Sequence, residues 1–149
     1  VDVWNGGNPD QLDAIMDPHV VRRVNFLPDV EGVEEVKKVV SEFRTAYPDL
    51  KIVMDDGVYS ENASSGRWTL TGTNTGPGAM PPTRKAVKIW GITILHYANG
   101  RITEEWVGYD SQSLMEQLGY TITRPSGSKQ KRNSLTDQRK HFLFKQTEG

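Results

Sequence analysis

The stretch RITEEWVGYDSQSLMEQLGY, residues 101–120, constrains the fold more than any other part of the chain. Its first nine residues are rich in β-branched and aromatic side chains and read as a strand. Ser111 to Leu118 then reads as a short helix stopped by Gly119. Just upstream, Lys85 to Tyr97 is a second β-rich run, joined to the first by Ala98-Asn99-Gly100. Asn-Gly supplies the positive φ that a tight hairpin needs, so two antiparallel strands leading into a helix are expected here.

That hairpin makes a demand on its surroundings. Val87, Ile89 and Leu95 share one parity of the first strand, while Trp90, Ile92 and Ile94 share the other. Both faces are therefore expected to be buried. One layer of helices covers only one face of a sheet, so the outer face is expected to meet a second copy of the chain, giving a homodimer.

The helical layer is legible earlier in the chain. Asn8 and Pro9 suit the N-cap and first position of a short helix reaching Ile15. A short β-rich run, Val20 to Phe26, follows. Gly32 to Tyr47 then places Val33, Val36, Val39, Val40, Phe43 and Tyr47 at helical spacing, with Pro48 ending the run. Lys51 to Tyr59 and Arg67 to Thr75 read as strands around a polar turn at 60–66. Pro77, Gly78, Pro81 and Pro82 make Gly76 to Thr83 a fixed loop rather than a ladder strand. Helices followed by a run of antiparallel strands give an α+β architecture.

At 149 residues and 36% apolar content, one buried core is expected. The longest apolar-rich run, around Ile89 to Leu95, is interrupted by Gly91 and Thr93, so no signal peptide or membrane span is expected and the location read from this is cytoplasmic. Zero cysteines exclude disulfides and thiolate metal sites. His19, His96 and His141 are too scattered to suggest a metal triad, so no metal is expected. The net charge of −1 divides unevenly: residues 121–149 carry seven basic side chains against Asp137 and Glu148, which leaves −6 on residues 1–120. An acidic body argues against a nucleic-acid-binding core. Residues 1–120 are read as one domain and 121–149 as a basic extension, with a linker over 121–133. Ser134 and Asp137 are placed to cap a terminal helix bearing Phe142, Leu143 and Phe144, which covers either an apolar patch or a cavity mouth.

The hairpin and helix, with the earlier string GTNTGPGAMPPTRKAVKIWGITILHYANG, resemble the SnoaL-like polyketide cyclases of the nuclear-transport-factor-2-like superfamily. The resemblance covers roughly Trp4 to Tyr120. It implies a cone-shaped, curved antiparallel sheet closed by N-terminal helices, an α+β barrel, around a cavity for a small, largely apolar molecule. It also implies intramolecular aldol ring closure driven by one aspartate, with neither metal nor organic cofactor. Counting back from Gln117-Leu118-Gly119, that aspartate's position falls on Val107, and the family's Glu-His-Trp-Asp run is Glu104-Glu105-Trp106-Val107 here. The histidine of the family's Gly-Thr-His-Thr-Gly string is Asn74, the glycine after Pro-Pro-Thr is Arg84, and a histidine near the end of the first strand falls on Arg23.

A desolvated carboxylate in such a cavity is a stronger base, able to take a proton from carbon next to a carbonyl, and nearby polar groups can hold the enolate. If position 107 faces the cavity, the strand period turns Thr103, Glu105 and Tyr109 inward and Ile102, Glu104, Trp106 and Asp110 outward. Glu105 is thus the first candidate acid/base. Asp110 is the second, brought inward by a bulge at Gly108. By the same period Thr93 lines the neighbouring strand, and Trp68 and Asn74 the next. The substrate-binding candidates are Asn74, Tyr109, Arg23, Trp68 and Thr93.

Each candidate has a structural alternative. Glu105 is also read as a paired strand residue, Asp110 as an N-cap, Asn74 as a loop clamp, Arg23 as a salt-bridge partner, and the tryptophans as core or interface. Two other activities share the fold class: ligand binding without catalysis, and epoxide hydrolysis or dehydration. For the enzyme reading, Glu105→Gln is expected to abolish turnover with little change in melting temperature.

Overall fold

The computed structural model describes residues 1–6 and 8–121. The expected terminal helix and all of the basic extension after Thr121 lie outside the described residues. Three short turns of helix open the chain: α1 (Asp2–Gly6), a 3-10 turn (Pro9–Gln11) and α2 (Leu12–Ile15). Asn8 caps the 3-10 turn, its side chain accepting from the Asp10 amide, with Pro9 in the first turn as expected. β1 (Met16–Val24) and β2 (Val30–Glu31) follow, and then α3 (Val33–Ala46).

Helix α3 buries Val33, Val36 and Val40 along one stripe and turns Glu34, Glu35 and Lys38 to solvent. Gly32 stands before it at φ +90°, and Arg44 holds the α1 carbonyls of Trp4 and Asn5 from the last turn. Val20, Met16, Leu12 and Val3 complete the core under this helix. Among the described residues no helix is long and apolar enough to cross a membrane.

The remaining strands are β3 (Lys51–Tyr59), β4 (Ala63–Thr73), β5 (Ala86–Ala98) and β6 (Arg101–Tyr109), after which α4 (Ser111–Leu118) closes the described chain. β4 begins earlier than Arg67 because Ser60 closes a tight turn onto Ala63. The expected hairpin is present, with Asn99 and Gly100 both at positive φ. The strands form one six-stranded sheet in the order β2-β1-β6-β5-β4-β3. β1 runs parallel to β6, so the sheet is mixed rather than wholly antiparallel. Its order is open, with β2 and β3 as edges, and it does not close into a barrel.

One irregularity governs which side chains face inward. Tyr97 pairs with Ile102 but His96 pairs with Glu104, so Thr103 is an extra residue in β6. Ile102 is therefore buried in the α3 core, contrary to the outward position given by uninterrupted alternation. Past the bulge, Glu105 and Val107 are buried while Trp106 is exposed.

Candidate functional site

The sheet's inner face and the surrounding helices line a cavity of about 250 Å³ that opens to solvent. Its wall is largely apolar: Leu70, Val87, Ile89, Leu95 and Val107 from the strands, with Phe43 and Tyr47 from α3 and its end and Leu114 from α4. Val1, Met54 and Tyr59 are exposed residues on its rim. Four of the sequence candidates line this space: Glu105, Tyr109, Trp68 and Thr93.

Glu105 is 7% exposed and forms an ion pair with Arg22, which is equally buried. The two residues are register partners on the parallel strands β1 and β6. Trp4 covers the guanidinium, its ring centroid 5.4 Å from the Arg22 Cζ. Among the described residues, Arg22 Nε has no hydrogen-bond partner, while Glu105 Oε2 is the oxygen that meets Arg22 Nη1 in the ion pair. A guanidinium donor is thus left over beside a paired carboxylate at the polar end of an apolar cavity, where buried polar atoms are normally satisfied.

Other polar groups in the wall are tied down. The Trp68 indole donates to Thr93 Oγ1 at 2.9 Å, which fixes the ring against Gly91. Tyr109 is held through its backbone, where Asn25 both donates to its carbonyl and accepts from its amide. Burial raises the Tyr109 phenol above its ordinary range, and the nearby Arg22 charge opposes this. The phenol stays a protonated donor at neutral pH. Further along the wall, the Ser64 and Tyr97 hydroxyls share a hydrogen bond of 2.6 Å.

Three candidates stand elsewhere. Arg23 is one residue out of phase: it lies on the opposite sheet face, pairs with Asp29 and Glu104, and stacks over Trp106 at 4.8 Å. Asn74 is buried but is no part of the cavity wall, because its side chain accepts from the Thr83 amide and hydroxyl and pins the proline loop. Asp110 caps α4 through the Ser113 amide, so no bulge at Gly108 turns it inward. Arg22, Ser64 and Tyr97 were not among the sequence candidates. The available signal for Arg22 was its shared parity with Val20 and Val24, which Val21 on the other parity obscures.

Comparison with curated proteins gives no match. Solved structures give many. A protein from Jannaschia sp. CCS1 described as a SnoaL-like polyketide cyclase superposes with TM-score 0.73 at 20% identity, over 81% of this chain and 89% of that one. A Catenulispora acidiphila protein with a ketosteroid isomerase-like fold gives TM-score 0.68 at 14% identity, over 83% and 92%. An LEH-like epoxide hydrolase from M. tuberculosis gives 0.63 at 13%, over 78% and 81%. At these identities the likeness is one of fold. The family model for SnoaL-like polyketide cyclases matches residues 1–118, from the opening helix through the last residue of α4, which is the whole of the sheet and every wall of the cavity. On that match the chain belongs to the SnoaL-like polyketide cyclase family.

Proposed function

We propose that the chain is a cofactor-free enzyme that removes a proton from carbon next to a carbonyl in a small, largely apolar substrate and closes a ring through the resulting enolate. The observation that carries this reading is the buried Arg22–Glu105 pair, set in the cavity wall with the guanidinium's Nε–H still without a partner. Glu105 takes the proton, and the C–H electron pair moves onto the carbonyl oxygen. Negative charge thereby passes from the carboxylate to an oxygen held by Arg22, so the guanidinium has an anionic partner throughout. The enolate carbon attacks a second carbonyl of the same molecule. Glu105 then returns its proton to the alkoxide so formed, and the balance closes without a metal or a redox partner. Tyr109 supplies a further phenolic donor to the same oxygen.

A model ketone tests the first step. In deuterium oxide, the wild-type protein is expected to speed exchange of the methyl protons of 2-acetylnaphthalene, followed by NMR, and Glu105→Gln is expected to lose that acceleration. Val107 favours a second reading, in which the cavity only binds. It faces the cavity at the family's aspartate position and cannot transfer a proton. Binding of the ketone without exchange in the wild-type protein assigns that reading instead.

The outer sheet face supports a homodimer. Trp90, Ile92 and Ile94 of β5 are 58%, 44% and 41% exposed, and Trp106 of β6 is 47% exposed beside them. Such a contiguous apolar surface is unfavourable in water, and a second copy of the same sheet covers it.

A further inference from the structure

The cavity has a second polar locus, and its position follows from strand register. Arg22 stands opposite Glu105, Glu105 opposite Leu95, and Leu95 opposite Ser64, in one row across β1, β6, β5 and β4. With neighbouring strands about 4.8 Å apart, two strand spacings set Ser64 roughly 10 Å from Glu105 across the sheet. Leu95 fills the middle of the row with an apolar side chain. Tyr97, two residues along β5 and on the same face, brings its phenol to Ser64 Oγ.

A pair of hydroxyls shares one hydrogen and keeps the other. Whichever oxygen donates, the partner's O–H remains, together with open lone pairs on both. Among the described residues neither oxygen makes another hydrogen bond, and both residues line the cavity. A structural clamp between β4 and β5 is not what this pair is needed for, since the two strands are already joined by an unbroken ladder from Ala63 to Thr73.

We infer that Ser64 and Tyr97 form a specificity subsite for a second ligand oxygen. The substrate class is an elongated, flat, doubly oxygenated ketone: the reacting carbonyl at Arg22 and Glu105, an apolar ring over Leu95, and a hydroxyl or phenol at the far end. This rests on the reading of the cavity given above and narrows it, because a ketone with one oxygen fills only half of the polar positions. A hydroxyl suits the pair better than a carbonyl, since it can both accept the spare hydrogen and donate to a lone pair.

Two ketones that differ by one oxygen test this: 6-hydroxy-2-acetylnaphthalene, whose oxygens lie at opposite ends of the ring system, and 2-acetylnaphthalene. Titration calorimetry with the full chain is expected to give about fivefold tighter binding of the hydroxy ketone, the effect of one neutral hydrogen bond. In Tyr97→Phe with Ser64→Ala the ratio of the two dissociation constants is expected to fall to about one. Should that double variant fail to fold, Tyr97→Phe alone reads the same ratio. Equal affinities in the wild-type protein overturn the subsite and leave the cavity reading intact. A preference that survives both substitutions also overturns it, by placing recognition elsewhere. Absence of binding by either ketone overturns the cavity reading and the inference together.

Discussion

Arg22 and Glu105 face each other as register partners on two parallel strands, joined by an ion pair that water barely reaches. Neither charge has another ionic partner among the described residues. Removing one of them leaves the other buried and uncompensated, which typically costs about 3–5 kcal/mol. Arg22→Met and Glu105→Gln are each expected to lower unfolding stability on that scale, measured by urea denaturation at pH 7. The double replacement Arg22→Met with Glu105→Leu is expected to recover most of the loss. This revises the expectation from sequence that Glu105→Gln leaves the melting temperature nearly unchanged. The variant's activity must therefore be read below its own transition.

Arg84 sits at φ +59°, in the left-handed region, where the family pattern has glycine. A Cβ is unfavourable there by about 1 kcal/mol. Its amide still donates to the Asn74 carbonyl, so the loop holds the residue in place. Arg84→Gly is expected to raise stability by roughly 0.5–1 kcal/mol. Calorimetric unfolding showing a lower midpoint in the variant contradicts this.

Gly91 lies against the ring of Trp68, which lines the cavity. A Cβ at this position meets Cζ2 and Cη2 of Trp68 and the Gly108 carbonyl. The ring is anchored to Thr93 and cannot yield freely. Gly91→Ala is expected to cost about 1–3 kcal/mol and to weaken ketone binding, since the indole must move into the cavity. Tryptophan fluorescence reports the displaced ring, and an unchanged spectrum with full stability counts against the packing described.

Burial holds the phenols of Tyr109 and Tyr47 above the ordinary tyrosine range, and the neighbouring phenols of Tyr109 and Tyr120 add to the effect at Tyr47. The native chain then keeps protons that the unfolded chain releases. Stability is full below the unfolded tyrosine value of about 10 and falls as pH rises through the folded values. Urea midpoints measured from pH 8 to 11 are expected to decline over the upper part of that range. Tyr47→Phe and Tyr109→Phe are each expected to flatten the decline.

The outer face gives a separate prediction. Ile92→Glu with Ile94→Glu places two charges at the centre of the apolar strip. Sedimentation is expected to show the wild-type protein at twice the 16.7 kDa chain mass and the variant at that mass, with the same circular dichroism spectrum. A wild-type monomer at micromolar concentration removes the interface.

Local elements were legible in the sequence because their signals are local. The valine stripe of α3, the Asn99-Gly100 turn and the Asp110 and Gly119 ends of α4 each depend on residues a few positions apart. So did the inward turn of Glu105, given one fixed point at Val107. What escaped was set by partners far along the chain. Arg22 and Arg23 are adjacent and alike, and only the pairing of β1 with β6, more than 80 residues away, decides which one enters the cavity. The parallel direction of that pair has no marker in either strand. Asn74 carries the chemistry of a ligand contact, but its partner Thr83 lies across a proline loop whose path residue types do not specify.

The surplus residue Thr103 has a bearing beyond its own position. With the ladder uninterrupted, Glu104 would stand opposite Leu95, so a carboxylate would reach the interior in either register. Two positions on, Trp106 would take the place of Val107, and an indole would fill the hollow that valine leaves open. Proximity to an acid is thus guarded twice over by adjacent glutamates, whereas room for a guest hangs on a single count in the length of one strand.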